Sequence, residues 1–122
     1  MGKTQSEATL QNKIQRIMRE MGCYVFKNHG NMFTEAGRPD LVACVPTKIE
    51  TLEKLIKDQW FRDNFVGVFV GLEIKRENRL NELSTAQKIV GENIKKAGGI
   101  WFAIDDSDLA KGIVMKLKGE LE

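Results

Sequence analysis

The chain has little cysteine, little proline, a single histidine and almost no net charge. Its two cysteines, Cys23 and Cys44, stand apart in apolar, strand-like stretches. Two isolated cysteines make neither a disulfide framework nor a zinc site, and both are read as buried free thiols. No apolar run approaches the roughly 18 residues of a membrane-spanning helix, and no charged-then-apolar leader follows Met1. The expectation is a soluble, cytoplasmic protein with no membrane partner. A formal net charge of +2 and a pI near 8.6 do not by themselves argue for nucleic acid. Any electrostatic footprint must come from where the lysines and arginines sit. No internal repeat, low-complexity tract or linker is visible. With 42% hydrophobic content, 122 residues suffice for one core, so residues 1–122 read as one domain.

What is present is a regular alternation of helical and strand patterns. Leu10, Ile14, Ile17, Met18 and Met21 recur at helical steps and predict a helix over 4–21, stopped at Gly22. Cys23 to Phe26 follows as a strand. Residues 28–38 form a loop rich in Asn and Gly, and Pro39 opens a strand from Asp40 to Val45. An insertion over 47–65 begins after Pro46. Its first part places Ile49, Leu52, Leu55 and Ile56 on one side of a helix, and its second holds Trp60, Phe61 and Phe65. Val66 to Lys75 is the clearest strand. Val66, Val68, Val70, Leu72 and Ile74 share one face, while Gly67, Phe69, Gly71, Glu73 and Lys75 share the other. The two glycines leave space on the charged face. After a polar loop, a helix runs from Ser84 to Ala97 and stops at Gly98-Gly99. Ile100 to Ile104 is a strand, and Asp105-Asp106-Ser107 can cap a last helix with Leu109, Ile113 and Leu117 inward. The order is α-β-β-(insert)-β-α-β-α.

Two short motifs carry chemistry: Gly37-Arg38-Pro39-Asp40, and Glu73-Ile74-Lys75, which begins 33 positions after Asp40. Side chains two apart on a strand project together, roughly 6.6 Å from each other. Glu73 and Lys75 therefore share a face. If Asp40 comes up beside Glu73, two carboxylates and an ammonium meet. Magnesium-type cations are held by one or two carboxylates plus phosphate oxygens, and a lysine suits a phosphate or an attacking water. The alternative is a solvated Glu73–Lys75 pair worth well under ~1 kcal/mol.

Other residues have two readings each. Glu7 extends the apolar stripe of the first helix, where a carboxylate needs a partner such as a metal ion. Equally, Thr4-Gln5-Ser6-Glu7 fits a capping box. Gln87 leads the stripe of the 84–97 helix, and Ser84-Thr85-Ala86-Gln87 is also a capping box. Lys27 and His29 lie at the start of a loop that could touch a phosphate backbone, or His29 is a plain loop histidine. Arg38, Arg76 and Arg79 flank the motifs and could bind phosphates, or are ordinary surface arginines.

Glu7, Gly37-Arg38-Pro39-Asp40, Glu73-Ile74-Lys75 and Leu83-Ser84-Thr85-Ala86-Gln87 occur in that order, followed by Ala97-Gly98-Gly99-Ile100-Trp101-Phe102-Ala103-Ile104. Jointly they resemble the VRR-NUC (virus-type replication-repair nuclease) family of the PD-(D/E)XK nuclease superfamily. The likeness covers roughly 6–117 and is broken only by the 47–65 insertion. It implies an α/β, restriction-endonuclease-like core: a mixed central sheet flanked by helices, α-β-β-β-α-β, with the inserted and C-terminal helices added. It further implies that Asp40, Glu73 and the backbone carbonyl of Ile74 ligate Mg²⁺ or Mn²⁺, with Glu7 on a metal or its water. Lys75 would position or deprotonate the attacking water, and Gln87 would orient the lysine or a water. Lys27, His29, Arg38, Arg76 and Arg79 are then candidate DNA contacts.

The activity implied is metal-dependent hydrolysis of DNA, leaving a 5′-phosphate and a 3′-hydroxyl. Small stand-alone members resemble viral or phage proteins that act as homodimers on branched DNA such as four-way junctions, and a viral member would work in its host's cytoplasm. Two sites about a two-fold axis suit symmetric cutting. The aromatic insertion would then build a dimer interface or a junction wedge, or simply cap the protein's own sheet. Two other functions stay open: a non-catalytic module binding branched nucleic acid or protein on the same fold, and a restriction-type duplex nuclease. No extended loop set for base readout is visible, which weighs toward shape and phosphate recognition.

Overall fold

The computed structural model describes residues 6–28 and 36–120. Its elements are α1 (Glu7–Glu20), β1 (Tyr24–Lys27), β2 (Leu41–Cys44), α2 (Ile49–Lys57), β3 (Val70–Ile74), α3 (Thr85–Lys96), β4 (Ile100–Ile104) and α4 (Ser107–Leu117). The order is the one expected, with a short 3₁₀ turn at Leu80–Glu82 added. All four helices stop in the same way. A residue in the left-handed region follows the helix: Gly22 at φ 90°, Gln59 at 62°, Gly98 at 89° and Gly119 at 74°. The next N–H then turns back to a helix carbonyl: Cys23 to Met18 (3.1 Å), Trp60 to Leu55 (3.1 Å), Gly99 to Ile94 (2.9 Å) and Glu120 to Met115 (2.8 Å). Glycine holds that conformation without steric cost. A side chain such as that of Gln59 is disfavoured there by roughly 1–2 kcal/mol.

The strands pair as β1–β2, antiparallel from Tyr24↔Cys44 to Lys27↔Leu41, and β3–β4, parallel from Val70↔Ile100 to Ile74↔Ile104. The fold is therefore α/β; among the described residues the strands form two two-stranded sheets, where a single mixed sheet was expected. The strand expected over 66–75 is also shorter, because the α3 stop at Gly98 fixes where β4 begins. The Ile100 N–H meets the Phe69 carbonyl at 3.0 Å, and pairing starts just beyond it.

The chain divides into two compact units, Met1–Gly67 with Lys96–Gly98 and Val68–Lys95 with Gly99–Glu122. In the first, α1 packs on β1, and Val25, Cys44 and Ala97 are buried. The Cys44 thiol donates to the Ala97 carbonyl at 3.5 Å, and burial, with Cys23 nearby, pushes that thiol above its ordinary range. Cys44 is thus a buried free thiol as expected, while Cys23 is free and half-buried. The apolar stripe of α1 is less covered than its periodicity suggests, since no α1 residue is buried. Trp60 and Phe65 are 75% and 79% exposed, whereas Phe61 is half-buried, so of the three aromatics only Phe61 is in a position to cap the protein's own sheet.

In the second unit α3 is the crossover that a parallel pair requires. It lies on the face of β3–β4 that carries Gly71, Glu73, Trp101 and Ala103. The space beside the β3 glycine is filled, not open. A Cβ at Gly71 would stand 3.0 Å from Ile94 Cδ1 and 3.3 Å from Trp101 Cδ1. Closer still, a Cβ at Gly91 would lie 2.6–2.8 Å from three ring carbons of Trp101. The α3 backbone therefore rests directly on the indole. The opposite, apolar face of β3 is the less covered one, with Leu72 38% and Ile74 72% exposed. Gly91→Ala should destabilise the protein by about 1–2 kcal/mol in urea titration, because overpacking outweighs the gain in helix propensity. A more stable variant would mean that α3 does not rest on Trp101.

Candidate active site

Exposure alternates along the end of β3: Glu73 half-buried, Ile74 exposed, Lys75 half-buried. Glu73 and Lys75 thus share the α3 side of the strand, as the spacing requires. They form no ion pair with each other, so the solvated-pair alternative is not what the structure contains. Instead Gln87 Nε2 donates to Glu73 Oε1 at 2.7 Å. Gln87 is placed by both roles foreseen for it. Its Oε1 accepts from the Ser84 N–H at 2.9 Å, and its N–H donates to Ser84 Oγ at 3.1 Å, which closes the capping box at the start of α3. One amide therefore fixes the helix start with its oxygen and the β3 carboxylate with its nitrogen. Gln87 thus bonds to Glu73, where the resemblance implied that it orients the lysine or a water.

The backbone of Ile74 is also suitably presented. The Lys75 N–H donates to the Ile104 carbonyl at 2.9 Å, so Lys75 faces β4. Backbone groups alternate sides along a strand, and the Ile74 carbonyl therefore points to the other edge of β3. On that edge β3 has no strand neighbour within its sheet. Just beyond, Asp105 Oδ2 accepts from the Asn78 N–H at 3.1 Å and pins the turn after β3, where Asn78 adopts φ 63°. The sequence pointed to Asp105 only as part of a helix cap. The cap is Asp106, whose Oδ1 accepts from the Asp108 N–H at 2.9 Å. The signal available for Asp105 was its position directly after β4, level with the end of β3.

The remaining candidates are placed as follows. Asp40 lies in the first unit at the start of β2, exposed and with no side-chain partner among the described residues. Its carbonyl accepts from the Asn28 N–H at 2.9 Å and extends the β1–β2 ladder. Glu7 is the first residue of α1 and is exposed, which corrects the inward placement expected of it. Nor does it close a capping box. The N-cap is Ser6, whose Oγ accepts from the Thr9 N–H at 3.1 Å and donates to Thr9 Oγ1 at 2.9 Å. The helix begins two residues later than a box at Thr4 would need. Lys27 Nζ donates to Asn12 Oδ1. Arg38 and Arg76 are exposed and take part in no ion pair among the described residues, whereas Arg79 pairs with Glu82 at 2.8 Å. His29 lies outside the described residues.

Glu73, Ile74, Lys75 and Gln87 belong to the second unit, and Glu7, Lys27, Arg38 and Asp40 to the first. Among the described residues no three His, Cys, Asp or Glu side chains are gathered into a ligand group. A magnesium-type cation needs no such group, because one or two carboxylates with water and phosphate oxygens hold it. Within the second unit, Glu73 and the outward Ile74 carbonyl offer oxygen donors of that kind, while Asp40 belongs to the first unit. Comparison with protein-family models, with curated proteins and with solved structures gives no match.

If Gln87 orients Glu73, their energies are coupled. Glu73→Ala, Gln87→Ala and the double variant should give an interaction energy of roughly 1 kcal/mol in urea unfolding. Additive losses would show that the 2.7 Å contact carries no energy.

Proposed function

We propose that the protein is a Mg²⁺- or Mn²⁺-dependent endonuclease of the VRR-NUC type that cuts branched DNA. The observation that supports it most is the treatment of Glu73 and Lys75. The carboxylate is held by a neutral amide and the neighbouring ammonium is not spent on it, so both charges remain for a ligand. The restriction-endonuclease-like core belongs to the same proposal. It is supported by the matching element order and by the parallel β3–β4 pair with its α3 crossover.

In this reading Glu73 and the Ile74 carbonyl would hold the cation, and the resemblance adds Asp40 as a further ligand and Glu7 to the cation or its water. When bound, the cation supplies Lewis acidity to the phosphate and acidifies a water. Lys75 positions the attacking water or takes its proton, and its charge opposes the negative charge that builds on the phosphorus oxygens. The water oxygen bonds to phosphorus, the bond from phosphorus to the 3′-oxygen breaks, and that oxygen leaves as a hydroxyl after gaining a proton. Gln87 keeps the Glu73 carboxylate in place throughout. Arg38, Arg76 and Lys27 contact flanking phosphates, and His29 joins them from its loop. Arg79 does so only by giving up Glu82.

A homodimer places two such sites about one axis. The exposed Trp60 and Phe65 are available to a partner or to a junction, which favours these roles for the insertion over sheet capping. Labelled four-way junctions, flaps and linear duplex incubated with Mn²⁺ should be cut, with the junction preferred. EDTA should abolish cutting, and Lys75→Ala should slow it about 100-fold or more. Light scattering on the same sample should give twice the 13.8 kDa chain mass. No product with Mn²⁺, or full activity in Lys75→Ala, rejects the nuclease; binding without cleavage leaves the non-catalytic module.

A further inference from the structure

The polar side of α1 carries Thr9, Asn12, Lys13 and Arg16 at helical steps of three and four, so they stand on one face. Together they line a depression of about 310 Å³. Lys27, reaching from β1 to Asn12 Oδ1, brings a third cation to its rim. None of the lining residues is acidic, and Lys13, Arg16 and Lys27 take part in no ion pair among the described residues. Among the described residues the partner of Lys27 is a neutral amide, and no carboxylate there compensates its charge. Glu20, one turn beyond Arg16, is the only carboxylate that continues this face, and it is not paired with it.

We propose that this face of α1 is a phosphate-binding surface for the nucleic-acid backbone. The proposal rests on the nuclease reading for its partner, and it adds Lys13 and Arg16, which no motif marked. Three uncompensated cations beside a hydroxyl and an amide offer donors and no repelling acid, which is what a phosphate chain needs. From Thr9 to Arg16 the helix rises about 10 Å. That length matches about three nucleotides at roughly 3.4 Å each. Such contacts set affinity and register and carry no base sequence.

The test is binding of labelled junction and linear duplex DNA in EDTA, by fluorescence anisotropy across a series of salt concentrations. Each phosphate contact contributes about 0.9 to the slope of log K against log salt. Lys13→Ala/Arg16→Ala should flatten the slope by about 2 on both DNAs. Lys54→Ala/Lys57→Ala, on α2, should leave it unchanged. Circular dichroism of the variants separates unfolding from lost contacts. The proposal is overturned if the α1 variant keeps the parent slope, if the α2 variant flattens it equally, or if the parent does not bind DNA at low salt. Binding to phosphatidylserine-containing vesicles but not to DNA, with the same dependence on Lys13 and Arg16, would overturn it in favour of a lipid surface. Cleavage with Mn²⁺ is read separately. A parent that cuts DNA while the α1 variant keeps its slope sinks only this surface, and a flattened slope without any cleavage sinks only the nuclease.

Discussion

The contact of the α3 backbone with the Trp101 indole at Gly91 governs the geometry of the candidate site. A helix can approach a sheet that closely only where it has no side chain. Gly91 provides the gap, and Ile94 meets Gly71 three residues further on. One turn earlier on the same face stands Gln87, which that approach brings within hydrogen-bonding distance of Glu73. The parallel register completes the arrangement by setting Gly71 beside Trp101 and Glu73 beside Ala103, whose small side chain leaves room for the Gln87 amide. Position along the helix is fixed independently by the Ser84–Gln87 box and by the Gly98 stop. Packing, capping and the orientation of the Glu73 carboxylate are thus three consequences of one helix placement.

This placement explains why Glu73 is held by a neutral group. A lysine partner would have cancelled its charge and left little net stabilisation at a half-exposed position. An amide donor orients the carboxylate without neutralising it. Lys75, two residues on, likewise keeps its charge. Two opposite charges held near each other but not joined suit a site that takes a cation and an anion together. The outward Ile74 carbonyl adds an oxygen that β4 does not use.

Much of this was legible in the chain. The element order followed from periodicity, and two of the four helix stops from Gly22 and Gly98. The shared face of Glu73 and Lys75 followed from the strand period alone. The end of α2 at Asp58 was legible only as the end of its apolar pattern, because Gln59 occupies the left-handed position where a glycine would have marked it. Glu7 illustrates a different limit. A residue in phase with an apolar stripe is inward only if something covers that end of the helix, and periodicity carries no information on cover. Gly71 misled in a related way: its missing side chain was read as open space, whereas Ile94 and Trp101 fill it; of the two glycines of the expected strand only Gly67, before β3, has open space beside it. The pairing of strands into two short sheets depends on where loops begin and end, which local pattern does not encode.

The central proposal is that Glu73, oriented by Gln87, helps to hold a divalent cation. Titration of Mn²⁺ into the metal-free protein, followed by electron paramagnetic resonance of the free ion, tests it most directly. The proposal predicts that the parent binds Mn²⁺ and that Glu73→Gln weakens binding at least tenfold, with the fold retained by circular dichroism. Absence of Mn²⁺ binding in the parent, or Mn²⁺ binding that is indifferent to Glu73→Gln, would contradict it.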